Sequence, residues 1–347
     1  MIKKPDWWLL GETLALLLSF LVMGEIAFRQ SAIQNHFLGP QIGSRHGQFD
    51  QQWARLEKLE ASGEPIDCIL LGNSMIWIDA NPFVVADVFQ SVTGQKIDCF
   101  NFGVSALPAS SAGLLASVLV EKFHPKILVY GTAARDYAIP DMSEDAVVIS
   151  DTPWLRYQNG SFSPEGWLYA NSKFYQYKNY LPKLILLGFE DVIPGYSDLP
   201  AYHDFGYDPK IGQRIDVSRP LDMEDIGSRE ARKWLYHYNI LDENLDGLRG
   251  VVQQSSQGVQ VIVIEMPFHP SAYEFFSNGQ SDYNQFVQHV TQITTEGKVS
   301  FWRLQDQPQI SDPNWWDFFH MNFQGAEIFS RWLGQELGEA TIEYSQK

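Results

Sequence analysis

The chain contains few cysteines and few basic residues. Only two of its 347 residues are cysteine, Cys68 and Cys99, and two cysteines cannot make a disulfide scaffold. Because each lies in a predicted apolar strand, we expect two buried free thiols. Lysine and arginine together number 25 against 42 acidic residues, which gives a formal net charge of −17. Such an acidic surface repels the phosphate backbone, so nucleic-acid binding is excluded.

The chain also lacks the motifs of metal and phosphate sites. His, Cys, Asp and Glu residues do not recur at the spacing of a metal site. The sequence Gly72-Asn73-Ser74 follows a predicted strand, but it has neither the further glycines nor the lysine of a phosphate-binding loop. We therefore predict neither a metal nor a cofactor.

One long hydrophobic segment is present, near the N-terminus. It runs from Trp7 to Phe28 with only Glu12 and Glu25 as charged residues. As a helix it reaches roughly 33 Å, enough to cross a hydrocarbon core of about 30 Å. The basic residues ahead of it favour a cytoplasmic N-terminus, which places the rest of the chain in the periplasm or outside the cell. We predict a single-pass membrane anchor over residues 1–30; a cleaved signal peptide and a secreted soluble protein are the alternative.

The rest of the chain alternates between short apolar runs and helical patterns. The runs do not alternate with polar residues, which is typical of strands buried on both faces. Predicted strands cover 66–71, 96–102, 126–130, 259–265 and 299–304, and predicted helices cover 47–62, 82–92, 109–122, 235–252, 282–295 and 323–337. This order indicates an α/β fold with a doubly wound, flavodoxin-like sheet of five parallel strands.

The alternation stops over residues 137–227, which are rich in Pro, Tyr, Trp and Asp and contain one predicted helix around 172–187. We interpret this stretch as a large insertion, a candidate lid, rather than an independent domain. The predicted organisation is an anchor over 1–30, a juxtamembrane linker helix within 31–65, and an α/β domain over 66–347 that carries the insertion.

Polar residues follow the predicted strands, and ligands bind beyond the carboxyl ends of strands in such a sheet. Ser74 follows the first strand, Gly103 ends the second, and Asp317 and His320 precede the last helix. A serine is a poor nucleophile without a base, and the base needs an orienting partner. We predict Ser74 as the nucleophile, His320 as its base and Asp317 as the partner of His320. The N–H groups of Ser74 and Gly103 are the predicted oxyanion-hole donors.

The order of these segments resembles the SGNH/GDSL hydrolase-like superfamily. LLGNSMIWIDANP, FNFGVSALPAS and DFFHMNFQGAEIF are similar to its first, second and last sequence blocks. The resemblance implies an SGNH-type fold and serine-dependent ester chemistry. The third block, GTAARDYA, has no counterpart of the family's asparagine, so Asn101, Thr132 or Arg135 is the candidate for that oxyanion-hole donor. Asn73 stands where the commoner aspartate of the first block would be.

The anchor, the outer domain and the insertion together resemble membrane-anchored accessory proteins of envelope O-acylation, which include D-alanyl-transfer and exopolysaccharide O-acetylation proteins. This resemblance implies a multi-spanning membrane-bound O-acyltransferase as partner and a carbohydrate polymer as acceptor. Two functions stay open. The intact serine, aspartate and histidine favour an O-acyltransferase or acylesterase with an acyl-Ser74 intermediate. The missing asparagine favours a catalytically degenerate scaffold or binding subunit.

Four residues near the strand ends are candidates for lining the substrate site: Asn73, Thr132, His269 and Trp316. His269 lies among prolines after the fourth strand, where a structural role is the alternative. For Trp316, the alternatives are the floor of a sugar site and simple packing of its loop. An ion pair with Asp136 is the alternative role of Arg135.

Overall fold

The computed structural model describes residues 7–34, 37, 40–44, 46–138, 149–182, 221 and 226–345. The chain divides into two compact units. The anchor unit consists of Met1–Ala54 with Thr152–Leu199, and the sheet unit consists of Arg55–Asp151 with Pro200–Lys347.

Helices and strands alternate along the sheet unit, as predicted. In chain order, the described elements are α1 (Trp7–Phe28), α2 (Ser31–Gln34), α3 (Gly47–Ser62), β1 (Cys68–Gly72), α4 (Ser74–Asp79), α5 (Pro82–Thr93), β2 (Cys99–Gly103), α6 (Ala109–Phe123), β3 (Ile127–Thr132), α7 (Arg135–Ala138), α8 (Pro153–Gln158), α9 (Pro164–Asn171), α10 (Lys173–Tyr177), α11 (Ile226–Leu235), α12 (Asp242–Gln253), β4 (Gln260–Glu265), α13 (Gln280–Glu296), β5 (Ser300–Trp302) and α14 (Phe323–Ser345).

The five strands form one parallel sheet in the order β2-β1-β3-β4-β5. Every residue of β1, β2 and β3 is buried, because helices cover both faces of a sheet with parallel crossovers. Helix α6 packs on α12, and α5 packs on α14. The predicted doubly wound, flavodoxin-like architecture is confirmed.

Cys68 and Cys99 occupy paired positions on the neighbouring strands β1 and β2. Both are buried and neither is in a disulfide, as expected. A hydrogen bond with the neighbouring Cys68 thiol and burial raise the pKa of Cys99 well above its usual value. The two cysteines pack as small apolar side chains.

The predicted helix over 235–252 is wrong as a single element, because α11 ends at Leu235 and α12 begins at Asp242. The Tyr137 carbonyl accepts hydrogen bonds from Leu241 N, at 3.0 Å, and from Asn244 Nδ2, at 3.1 Å. These contacts fix where α12 starts. The helical spacing of apolar residues continues through the break between α11 and α12, so this spacing alone could not reveal the break.

In the anchor unit, α1 is the one described helix that is long and apolar enough to cross a membrane. It is exposed along most of its length and becomes buried at Phe28, which packs with Phe37, Tyr177 and Tyr180. Residues 152–182, part of the predicted insertion, therefore belong to the same compact unit as α1. Of the helix predicted around 172–187, α10 and a 3₁₀ turn over Lys178–Tyr180 are observed, and 183–187 lie outside the described residues.

Candidate active site

Ser74 is held at the end of β1 by a short helix. It is the first residue of α4, and Asn73 caps that helix by accepting a hydrogen bond from Met75 N at 2.7 Å. The backbone N–H of a first-turn residue has no acceptor within its own helix. The local fold therefore places both the hydroxyl and the N–H of Ser74 at the carboxyl edge of the sheet.

Glycines let α4 lie directly on the strand ends. Gly72 of β1 is paired with Gly103 of β2 on one side and with Gly131 of β3 on the other. A Cβ on Gly103 would collide with the backbone of Trp77, and one on Gly131 would collide with the Ile76 side chain. The glycines of the sequence blocks are thus needed for the close approach of the helix that carries the nucleophile.

The three residues predicted as a triad lie together. His320 Nε2 is 2.9 Å from Ser74 Oγ, and His320 Nδ1 is 2.8 Å from Asp317 Oδ2. Asp317 Oδ1 also accepts hydrogen bonds from the backbone N–H groups of Phe319, at 2.7 Å, and His320, at 2.8 Å. This turn brings the Asp317 and His320 side chains to one side, so the imidazole is oriented with its Nε2 toward the serine.

The environment keeps Asp317 ionised. Burial by itself would raise its pKa, but the charge and hydrogen bond of His320, together with the N–H groups of Phe319 and His320, outweigh burial and lower the pKa below its usual value. An ionised Asp317 can hold a proton on Nδ1 of His320, which leaves Nε2 as the acceptor for the serine proton.

Arg135 also contacts the nucleophile. Its Nη2 donates a 2.6 Å hydrogen bond to Ser74 Oγ, and its guanidinium lies 5.9 Å from the centre of the Phe319 ring. Within the described residues, the buried Nε of Arg135 has no hydrogen-bond partner. The expected ion pair with Asp136 is long, with 3.9 Å between Nε and Oδ1. Of the three candidates for the missing asparagine, Arg135 is the one that contacts Ser74.

Two predicted oxyanion-hole groups have other partners. The Gly103 N–H donates to Asn101 Oδ1 at 2.8 Å. Asn101 Nδ2 donates to the carbonyls of Ile76, at 2.8 Å, and Ala80, at 2.7 Å. Asn101 is fully buried and ties β2 to α4. The structure therefore assigns packing roles to Asn101 and Gly103, which corrects the prediction that either supplies an oxyanion-hole donor.

Asn73 and Asp136 form a buried support under the nucleophile. Asn73 Nδ2 donates to Asp136 Oδ1 at 2.6 Å, and Ala133 N donates to Asp136 Oδ2 at 2.9 Å. Burial raises the pKa of Asp136 to about 6, although the Arg135 charge and both hydrogen bonds act in the opposite direction. Asn73 is 1% exposed, so it positions Ser74 rather than lining a substrate site.

Asp79, which the sequence did not single out, joins the serine helix to the histidine loop. It ends α4, and its Oδ1 accepts a hydrogen bond from Met321 N, next to His320, at 2.9 Å. Its other oxygen is buried without a partner among the described residues. Burial is the main cause that raises the pKa of Asp79 well above its usual value. The buried carboxyl of Asp79 thus links the helix that begins at Ser74 to the loop that carries His320.

Two of the other predicted lining residues are buried. Thr132 is fully buried and donates to the Tyr137 hydroxyl at 3.0 Å. His269 is 8% exposed, its backbone N–H donates to the Phe318 carbonyl at 2.9 Å, and its ring meets Trp315 edge-on. The His269 contacts hold the loop that carries the triad, and Thr132 has a buried partner; the lining roles of both residues stay predictions.

Trp316 does lie beside the triad. Its ring centre is 5.8 Å from that of His320, and its backbone N–H donates to the His320 carbonyl at 2.9 Å. Nowhere in the described ranges do three His, Cys, Asp or Glu side chains gather as metal ligands would. The arrangement is suited to proton transfer and nucleophilic attack by Ser74.

Comparisons with known proteins give the following similarities. A protein-family model matches residues 225–341, less than half of the chain. No curated protein matches the chain. An inhibitor-bound aryl esterase from M. smegmatis is 12% identical to this chain, with a TM-score of 0.36. The match covers 80% of this chain and 99% of the esterase. A psychrotrophic esterase from Pseudoalteromonas sp. is 9% identical, with a TM-score of 0.37 and coverage of 81% and 100%. A carbohydrate acetylesterase family member from Sinorhizobium meliloti is 11% identical, with a TM-score of 0.34 and coverage of 80% and 100%.

With TM-scores below 0.5, these similarities carry no conclusion about the activity of this chain. Its own geometry is more specific. The strand order, the serine directly after β1 and the Asp-x-x-His turn before α14 all agree with the resemblance found in the sequence. The sheet unit therefore has a doubly wound, flavodoxin-like fold of the kind that the sequence resemblance implies, with Ser74, Asp317 and His320 together at the carboxyl edge of the sheet.

Proposed function

We propose that the chain is a serine-dependent O-acyltransferase or acylesterase that works through an acyl-Ser74 intermediate. The observation that carries the proposal is the hydrogen-bond chain Ser74–His320–Asp317, with links of 2.9 Å and 2.8 Å. A serine within hydrogen-bond reach of an oriented histidine is the arrangement that makes its hydroxyl nucleophilic.

The reaction has two halves. In the first, Ser74 Oγ attacks the carbonyl carbon of an acyl donor while His320 takes the hydroxyl proton; the donor's C–O bond breaks and the leaving oxygen receives that proton. In the second, an acceptor hydroxyl gives its proton to His320 and attacks the acyl carbon, and the Ser74 Oγ–C bond breaks as the proton returns to Oγ. Water as acceptor gives hydrolysis, and a sugar hydroxyl gives transfer.

Arg135 and the Ser74 N–H are the proposed donors to the oxyanion. Arg135 lies within 2.6 Å of Ser74 Oγ and has a buried Nε with no hydrogen-bond partner in the described part of the chain. A donor that is already buried and oriented stabilises developing negative charge without reorganisation. The guanidinium thus takes the place of the family's third-block asparagine.

A non-catalytic scaffold is the second candidate, and one observation favours it. The third block lacks the family's asparagine, and the Gly103 N–H donates to Asn101, so two of the usual oxyanion-hole donors are not provided. In that case Ser74 would contribute to a binding surface, and its hydroxyl would show no elevated reactivity.

We also propose that α1 remains attached as a membrane anchor. Gly24 lies against the Phe174 ring, with 2.6 Å between Phe174 Cδ2 and the position of a Cβ on Gly24. Glu25 accepts hydrogen bonds from Ser172 Oγ, at 2.8 Å, and Phe174 N, at 3.1 Å. The turns of α1 that contain Gly24 and Glu25 are therefore part of a folded unit, which favours an anchor over a cleaved signal peptide.

The proposed setting follows from the anchor and from the sequence resemblance. The basic residues before α1 favour an outer location of the sheet unit, in the periplasm or extracellular space. There the acceptor would be an envelope or exopolysaccharide carbohydrate, and a multi-spanning membrane-bound O-acyltransferase would supply the acyl group. The net charge of −17 favours a neutral polymer over a strongly anionic one.

Active-site labelling tests the catalytic proposal. The full chain in detergent is treated with a fluorophosphonate probe, beside Ser74→Ala and the matched control Ser91→Ala, a serine whose hydroxyl bonds only its own helix. We expect labelling of wild type and Ser91→Ala and none of Ser74→Ala. A folded wild-type chain that takes up no label would favour the scaffold instead.

Two glycines in α1 test the anchor. Gly24→Leu would push against Phe174, whereas Gly11→Leu adds a side chain where no atom lies within 4 Å. We expect Gly24→Leu alone to speed limited proteolysis around 172–180 in membranes, and N-terminal sequencing of the wild-type chain to start before α1. Equal proteolysis of both variants, or a mature N-terminus near residue 30, would contradict the anchor.

A further inference from the structure

An aromatic side chain of the predicted insertion lies beside the C-terminal part of α1. The Phe174 ring meets the Phe20 ring edge-on, with 5.8 Å between the ring centres, and its centre also lies 5.8 Å from that of Phe28. The ring lies against Gly24 as well. These residues all belong to the anchor unit, and Phe174 is partly exposed. The anchor proposed above leaves unassigned what covers the exposed part of this ring.

Glu25 marks the end of the apolar part of α1. Between Trp7 and Gly24 the only charged residue is Glu12, near the start of the helix. From Trp7 to Glu25 the helix rises about 27 Å, close to a hydrocarbon core of about 30 Å. Because a charged side chain is costly inside that core, Glu25 lies at its edge in the proposed anchor. Phe20 then lies about 7.5 Å further inside along the helix.

Glu25 also fixes where α10 starts. Its carboxylate accepts hydrogen bonds from Ser172 Oγ, at 2.8 Å, and from Phe174 N, at 3.1 Å. The backbone of Phe174 is therefore close to the level of Glu25. The Phe174 ring lies against Gly24 and Phe20, on the N-terminal side of Glu25. It consequently enters the depth range of the apolar span.

The segment leaves this depth again after Phe174. Tyr177 stacks on Phe28, at the end of α1, and also packs on Phe37, which follows α1 in the chain. Tyr180 packs on Phe37. Of the aromatic contacts described for this segment, the contact of Phe174 with Phe20 therefore reaches furthest along α1 toward its N-terminus.

From these contacts we propose that residues 172–180 are a second membrane contact of the chain, in which Phe174 inserts beside α1 among the lipid acyl chains of the outer leaflet. The proposal rests on α1 being the membrane anchor proposed above. Lipid is the occupant that the contacts favour, because the partly exposed ring continues the exposed apolar surface of α1 at the same depth. The polar backbone at the start of α10 stays at the edge of the hydrocarbon core, where Glu25 accepts its hydrogen bonds.

Depth measurements test this proposal. The full chain, with a nitrobenzoxadiazole fluorophore on a single introduced cysteine, is reconstituted in phosphatidylcholine vesicles, and its quenching is recorded with nitroxide lipids of two depths. Both native cysteines are buried, so the wild-type chain gives the labelling background. The labelled variants are Phe174→Cys and, as a reference within α1, Leu21→Cys. Gln30→Cys and Asn179→Cys, at exposed polar positions, are the matched controls.

We expect the label at position 174 to lie within one helical turn, about 5 Å, of the depth of the label at position 21. It should lie about 9 Å deeper than the label at position 30, the rise of six helical residues from Gly24. The label at position 179 should be no deeper than that at position 30. A label at position 174 as shallow as both controls would overturn the proposal and leave the anchor intact. A label at position 21 that acyl-chain nitroxides do not quench would overturn the anchor and the proposal together.

A second measurement leaves the Phe174 side chain in place. The wild-type chain is irradiated in vesicles that contain a phospholipid with a diazirine on its acyl chain, and lipid adducts are located by tandem mass spectrometry. We expect adducts on α1 and on Phe174 and none on Asn179. Adducts on α1 without any on Phe174 would overturn the proposal and would assign this face of the anchor unit to a protein partner. Equal adducts on Phe174 and Asn179 would also overturn it.

Discussion

Replacing Arg135 by methionine tests the proposal that Arg135 stabilises the oxyanion in place of the asparagine of the family that the sequence resembles. The change keeps an unbranched apolar stem but shortens the side chain, and it removes both the Nη2 donor that lies 2.6 Å from Ser74 Oγ and the unpartnered buried Nε. Loss of one oriented oxyanion donor costs on the order of 10²–10³ in rate. We therefore expect the acylation rate of Arg135→Met to fall by about that factor.

The assay is the pre-steady-state release of p-nitrophenol from p-nitrophenyl acetate. A donor used only in the transition state lowers kcat and kcat/KM by the same factor and leaves KM unchanged. Arg135→Lys keeps the charge but not the planar fork of donors, so its rate should lie between those of wild type and Arg135→Met. Arg249→Met is the matched control, because Arg249 is exposed and pairs with Asp246.

Three results would refute this reasoning. An unchanged rate in Arg135→Met would show that the oxyanion binds elsewhere. An increased rate would show that the guanidinium shields Ser74 and must move away before the serine can react. A rise in KM without a fall in kcat would assign Arg135 to substrate binding.

Three further predictions concern the buried carboxyls. Asp317→Asn should lower the acylation rate on the order of 10³–10⁴-fold without loss of fold, because an amide no longer stabilises the His320 imidazolium; stopped-flow rates and circular dichroism check it. Asp79→Ala should lower the free energy of unfolding by about 1–3 kcal/mol, since Met321 N loses its buried acceptor, and Asp79→Asn should restore most of it in urea titrations. Asp136 has a folded pKa of about 6 against an ordinary value of 3.8, so the folded state keeps its proton longer than the unfolded state does. Stability should therefore fall by about 3 kcal/mol as pH rises from about 4 to 6, and Asp136→Asn should remove that slope.

The triad was predictable from sequence because its signals are local. Ser74 follows an apolar run, and Asp317 and His320 are three residues apart on one turn. Parallel strands bring their carboxyl ends to one edge of the sheet, so placing the strands was enough to place the residues that follow them. The 2.9 Å contact between Ser74 and His320 joins positions 246 residues apart, and the topology alone accounts for it.

The roles of Gly103 and Arg135 could not be predicted from the sequence in the same way. Gly103 follows β2 as expected, but whether its N–H is available depends on the side chain of Asn101, two residues earlier on the same strand. The reach of Arg135 to Ser74 depends on how the short helix α7 is turned after β3. Both depend on which partner a side chain takes, and neither the spacing of apolar residues nor the spacing of motif residues encodes that choice.

The contact of residues 172–180 with α1 could not be predicted from the sequence either. The contacts of Glu25 and Gly24 with Ser172 and Phe174 link positions about 150 apart in sequence, in segments that the pattern assigned to an anchor and to an insertion. From the sequence alone, Gly24 is an ordinary small residue within a predicted membrane-spanning helix. Only the Phe174 ring against it shows why a larger side chain would not fit.

The carboxyls around Ser74 have different pKa shifts, and this difference decides which of them supports the reaction. The pKa of Asp317 is lowered, so Asp317 is the negative charge that faces an imidazolium on His320. The pKa of Asp79 is raised mainly by burial, which favours the protonated form of this carboxyl, and its Oδ1 accepts a hydrogen bond from Met321 N. Arg135 supplies a positive charge within hydrogen-bond distance of Ser74 Oγ. In the proposed mechanism, the imidazolium formed on His320 faces Asp317 and the oxyanion faces Arg135, so each developing charge meets a fixed charge of opposite sign.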